Sequence, residues 1–184
     1  MARRGRDDYY EAALEILEEQ GFLALTASAL CDWMNITRGA FYHHFDSFDE
    51  FLDGLLAFWE LHYSHELINE SVAIEDVAAM LKRETEMVSS LRHGAEIAIR
   101  AWGATDARVA SAQKRVDRVR HDGLRLAFER RNISATASSF YADLALNTLI
   151  GAQMRGASRR QVKVLFERLS RLILAASQAD IFQQ

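Results

Sequence analysis

A chain of 184 residues with 49% hydrophobic and 26% charged residues has the composition of an ordinary globular protein, long enough for one or two cores. One cysteine excludes an intramolecular disulfide, no run of about 18 apolar residues offers a membrane span, and no secretory leader pattern opens the chain, so a cytoplasmic protein without a membrane partner is expected. A net charge of -4 excludes a surface that clings to nucleic acid everywhere, and confines any such contact to a local patch.

Proline is absent and apolar residues recur at spacings of three and four from end to end, which predicts an all-α fold of about nine helices. The opening segment carries Arg3, Arg4 and Arg6, a candidate arm for a DNA groove or backbone; the other reading is a solubilising chain end. A first helix is expected over Asp7–Gln20, burying Tyr10, Ala13, Leu14 and Leu17 and ending at Gly21.

Residues 26–51 then describe two short helices, a tight turn and a third helix start. Thr26 caps the first, and Ala29, Leu30 and Trp33 give it an apolar face. Asn35 stands where the chain turns, and Ile36 plugs the corner. Thr37 caps a second helix of about two turns carrying Arg38, Gly39, Ala40, Tyr42, His43 and His44. Small residues beside hydrogen-bonding ones suit a helix whose N-terminus enters a major groove. Ser47 with Glu50 forms a capping box for a long helix with Phe51, Leu52, Leu55, Leu56, Trp59 and Tyr63 on its apolar side.

These residues resemble the TetR (tetracycline-repressor-like) family of bacterial transcriptional regulators. The resemblance covers roughly residues 8–56 and rests on Gly21-Phe22, Thr26, Cys31, Thr37, Arg38, Gly39 and Tyr42-His43-His44-Phe45. Three residues depart from the family pattern. Asn35 replaces a glycine but tolerates a left-handed turn, Cys31 replaces an alanine of similar size, and Phe48 replaces a lysine that in the family meets the DNA backbone. The resemblance implies an N-terminal three-helix helix-turn-helix DNA-binding domain over residues 1–50 and a C-terminal helical effector-binding and dimerisation domain over 51–184. It assigns base-edge and groove contacts to Arg38, Gly39, Ala40 and His43, and backbone contacts to Thr26, Thr37, Tyr42 and His44.

Beyond residue 74 a helix ending near His93 and Gly94 is expected, then one through Ile97, Ala101 and Trp102, and a long one capped by Asp106. In that long helix Val109, Ala112, Val116, Val119, Gly123 and Leu126 form the packing face, while Lys114, Arg115, Arg118, Arg120 and Arg125 read as a solvated face. The last two helices, roughly 135–154 and 158–176, are apolar over a wide arc. Phe140, Tyr141, Leu144, Leu149, Val162, Leu165, Phe166, Leus 169 and 172 and Ile173, with Leu169 and Leu172 on the final helix, are the expected homodimer interface.

By resemblance, a small molecule held in the second domain moves the long linking helix and releases a palindromic double-stranded DNA operator. Trp59, His62, Tyr63, Met80, Met87, Trp102 and Phe128 are candidate lining residues for an aromatic or amphipathic effector. His62, His65 and Glu66 share a helical face but make too few ligands for a metal site, so neither metal nor cofactor is expected. No glycine-rich phosphate cradle, nucleophile elbow or carboxylate pair suggests an enzyme. The rival expectation is a helical adaptor that keeps the fold without specific DNA binding, which the acidic head and Phe48 favour.

Overall fold

A computed structural model describes residues 5–65 and 73–179. Among these residues nine α-helices follow one another without a strand: α1 Arg6–Gln20, α2 Ala27–Met34, α3 Arg38–Tyr42, α4 Phe48–Glu60, α5 Val77–Ser90, α6 His93–Gly103, α7 Ala107–Glu129, α8 Ala135–Met154 and α9 Arg159–Ala179. A 3-10 turn, Phe22–Ala24, separates α1 from α2, and a π-helical turn, Leu61–His65, follows α4. The fold is all-α, as the periodicity predicts. Among the described residues no helix is long and apolar enough to cross a membrane. Arg3, Arg4 and Glu66, and the side chain of His65, lie outside what is described.

Helix starts follow side-chain chemistry. Thr26, Thr37, Ser47, Asp76 and Ser134 each accept the N–H three residues on, which satisfies donors an α-helix leaves open. The break expected near His93 and Gly94 falls just before them, with α5 ending at Ser90 and α6 beginning at His93. The glycine marks a close approach here, because a Cβ on Gly94 would lie 2.6 Å from the carbonyl oxygen of Glu18.

The described chain divides into two compact units, one taking residues 5–61 and 92–114, the other 62–65, 73–91 and 115–179. The first thus extends past residue 50 to include all of α4, and adds α6 and the start of α7. In it α1 packs against α2, α4 and α6. Rings fill the centre: Phe41 and Phe45 have centroids 5.1 Å apart, Phe45 and Phe51 5.2 Å, and Tyr10 stacks on Phe51 at 5.7 Å. Such pairs add about 0.5–1.5 kcal/mol each beyond the area they bury. Ion pairs ring this core. Arg92, before α6, reaches Glu11 at 3.0 Å and Glu18 at 3.3 Å on α1. Arg108 reaches Asp49 at 3.3 Å and Asp53 at 3.2 Å on α4.

In the second unit α9 packs on α5 and α8 around Met80, Leu81, Phe128, Tyr141, Leu149, Val162, Phe166 and Ile173. The Thr85 and Ser170 hydroxyls, 3.2 Å apart, join α5 to α9 inside this apolar contact. Arg120 departs from expectation. It is buried, at 7% exposure, and its Nη2 donates to the Tyr63 carbonyl at 2.9 Å. Leu126, expected on the packing face, is 40% exposed.

Candidate nucleic-acid interface and inner cavity

Local chemistry builds the candidate interface. Thr26 Oγ1 accepts Ala29 N–H at 3.1 Å to start α2. Asn35 ends it in the left-handed region, φ 51°, where Asn is the best tolerated residue after Gly. The turn is tied by Ile36 N–H to Cys31 carbonyl at 2.9 Å. Thr37 Oγ1 then accepts Ala40 N–H at 3.2 Å. The following helix is shorter than expected: α3 ends at Tyr42, and His43 and His44 continue only as a turn. Phe41 anchors it with no exposed surface, and Tyr9 on α1 donates its hydroxyl to the Ala40 carbonyl at 3.4 Å.

With Phe41 turned inward, Arg38, Gly39 and Tyr42 on α3 and His43 in the turn after it are exposed, while Ala40 and His44 are half-buried. Thr26 and Thr37 are exposed at the two helix starts. These predicted residues are therefore brought onto one small structural unit. Gly39 is informative. A Cβ there would meet nothing closer than the Thr37 hydroxyl at 3.8 Å, and its φ is ordinary. Glycine costs about 1 kcal/mol against alanine inside a helix, yet no neighbour among the described residues requires it.

The three departures from the family pattern are also explained. Asn35 makes the turn. Cys31 is buried between helices, and burial pushes its thiol pKa up, against the opposing pull of Arg38. Phe48 stacks on Phe51 at 5.5 Å, so it has joined the aromatic core. Arg6 is committed within the unit as well, paired with Glu50 at 2.8 Å and lying 4.9 Å over the Phe45 ring. The Glu50 carboxylate accepts the Asp46 N–H at 2.6 Å, one residue before the expected capping-box partner. That bond, with Arg6 beside it, holds its pKa below the usual carboxylate range.

Residues 10–55 match the model of a family described as bacterial regulatory proteins, tetR family. The chain carries a TetR-family helix-turn-helix head. No curated protein matches the chain in sequence. Among solved structures it is similar to a transcriptional regulator of Rhodococcus sp. Rha1, with a TM-score of 0.74 and 16% identity over 94% of this chain and 97% of that one. A TetR regulator of Haloarcula marismortui gives 0.73 and 15% over 92% and 96%. A transcriptional regulator of Aquifex aeolicus gives 0.72 and 14% over 92% and 98%. At these identities the likeness is one of fold alone, and it extends beyond the head.

Behind the TetR-family head in sequence, the second unit encloses a cavity of about 60 Å³. Of the seven expected pocket residues, Tyr63, Met87 and Phe128 line it. Met80 is buried in the same unit but off the lining, and His62 sits half-buried in the π-helical turn. Trp59 and Trp102 belong to the first unit. Trp59 donates its indole N–H to buried Glu96 at 3.2 Å, and Trp102 stacks on Phe22 at 6.3 Å. Sequence reasoning missed Glu84, Arg120 and Ser170 in the wall. Among the described residues no group of three or more His, Cys, Asp or Glu is placed to hold an ion, and of the face formed by His62, His65 and Glu66 only the His62 side chain is among them.

The outer face of α8 and α9 also differs from expectation. Tyr141, Leu149, Val162, Phe166, Leu169 and Ile173 are buried in their own unit, so they cannot meet a partner. Phe140, Leu165 and Leu172 are exposed, and Leu144 is half-buried. Met154 and Val164, not expected there, are exposed too. Gly151 lies exposed on α8, where an added Cβ would meet nothing within 4 Å.

Proposed function

We propose that this chain is a sequence-specific DNA-binding transcriptional regulator, a cytoplasmic repressor that holds a palindromic operator as a homodimer and is released by a small molecule. The observation that carries the DNA reading is Gly39. A glycine with no internal reason, beside exposed Arg38, Tyr42 and His43 at a capped helix start, leaves room for a nucleic-acid backbone to come close. Arg38, Gly39, Ala40 and His43 read base edges or groove, and Thr26, Thr37, Tyr42 and His44 hold phosphates. Arg3 and Arg4 supply the arm.

A reading element this short spans no more than about four or five base pairs, too few to define a site, so two copies must read two half-sites. The partner surface is the exposed strip of Phe140, Leu144, Gly151, Met154, Leu165 and Leu172. Gly151 permits a close helix crossing there, and exposed apolar residues gathered on one face suit a symmetric contact. The effector enters the second unit's cavity. Tyr63, in its wall, follows the end of α4 in the chain by three residues, so a ligand-dependent change in the π-helical turn reaches the linking helix through the backbone. Coupling of this kind is typically about 1–3 kcal/mol.

Selection of binding sites from a random duplex pool tests the reading, repeated with an Arg38→Ala, Tyr42→Ala variant. A palindromic consensus that the variant loses is expected, with each base-reading side chain contributing about 1–3 kcal/mol. No enrichment by the native protein at any salt concentration would favour the adaptor.

A further inference from the structure

We infer that the cavity of the second unit takes a compact, uncharged hydrophobe with at most one hydroxyl group, and that it discriminates against carboxylates and amines. The inference rests on the effector reading above and adds the ligand's chemical class.

The wall is drawn largely from aliphatic side chains: Leu81 and Leu91, Leu124, Leu149, Leu169 and Ile173, with Phe128 and Phe166. An apolar cavity of this kind gives water few partners, and hydrocarbons enter such spaces readily. Its volume of about 60 Å³ is less than half of the roughly 150 Å³ of an apolar cavity that holds benzene. A six-carbon ligand therefore enters only as the wall gives way, and flexible Met87 in that wall lets the space grow.

Two side chains that carry a formal charge at neutral pH stand in this wall, Glu84 and Arg120, and their charges are opposite. Arg120 is also engaged, donating to the Tyr63 carbonyl at 2.9 Å. A ligand bringing its own charge, of either sign, adds an unbalanced charge to a poorly solvated site, which is costly. A neutral ligand adds none. One polar group is still accommodated. Ser170 lines the cavity, and its hydroxyl, 3.2 Å from Thr85 Oγ1, has two acceptor positions, enough to serve a ligand hydroxyl as well.

The test compares hexan-1-ol, hexanoate and hexylamine with the full-length protein at neutral pH, by titration calorimetry and thermal unfolding. Hexan-1-ol is expected to bind at least tenfold tighter than either charged analogue and to raise the melting temperature. Ala145→Leu, which fills the cavity from its α8 wall, is expected to weaken hexan-1-ol at least tenfold; Leu149→Phe fills it independently should the first variant not fold. Tighter binding of hexanoate or hexylamine overturns the neutral class while leaving the cavity as the effector site. Equal binding by native protein and filled variants, or binding of none of the three, overturns the effector reading together with the inference.

Discussion

Aromatic rings fill the first unit, whereas leucine, isoleucine and methionine fill much of the second, and the two cores suit different work. Phe45 and Phe51 each meet Tyr10, Phe41 and one another with ring centroids 5.1–5.8 Å apart. Flat, stiff side chains with few torsions fix the small α3 in one place, as base reading demands. The second unit is built from longer helices whose aliphatic chains leave a cavity and surround polar Thr85, Ser138 and Gln153. Imperfect packing of this sort is what a ligand can exploit. A regulator needs one part that does not yield and another that does.

The comparison is broken most directly at Phe41. Phe41→Ala should destabilise the head by about 3–5 kcal/mol and abolish DNA binding, whereas Phe128→Ala, the same deletion in the second unit, should fall at the low end of that range because its surroundings can collapse. Urea unfolding followed by circular dichroism measures both; similar losses would mean the head is no stiffer. Gly94→Ala comes next. Its methyl group would press on the Glu18 carbonyl, so about 1–3 kcal/mol should be lost in the same assay. Arg92→Met removes a partly exposed cluster of ion pairs and should cost no more than about 1 kcal/mol, a difference that shrinks in 1 M salt.

The smallest effect concerns Glu50. Its folded pKa is depressed, so its charged form stabilises the head above the unfolded carboxylate pKa of about 4.3, and that contribution disappears as pH falls through the folded value. Glu50→Gln should therefore flatten the acid limb of the melting temperature against pH, with the variant and native curves converging at the lowest pH.

Much of the head was legible because its signals are local. Thr26, Thr37 and Ser47 each cap within three residues, and Asn35 makes its turn alone. The cavity was less legible, since helices distant in sequence assemble it. Trp59 and Trp102 look like pocket aromatics in one dimension, but nothing in their spacing says which core receives them. Arg120 had a readable signal. The buried stripe Val109, Ala112, Val116 continues through 120, Gly123 and Ala127, so the arginine lies in phase with the core and its neighbours Lys114, Arg115 and Arg118 do not. On α8 and α9 a wide apolar arc does not say which part of it covers its own unit.

The single cysteine of the chain is Cys31, packed under the reading element and shielded from solvent. A thiol reagent can therefore reach it only when the head opens, and the second unit contributes no background. The labelling rate of the native sequence becomes a clock for that opening, readable in the presence and absence of DNA or an alcohol without adding a probe.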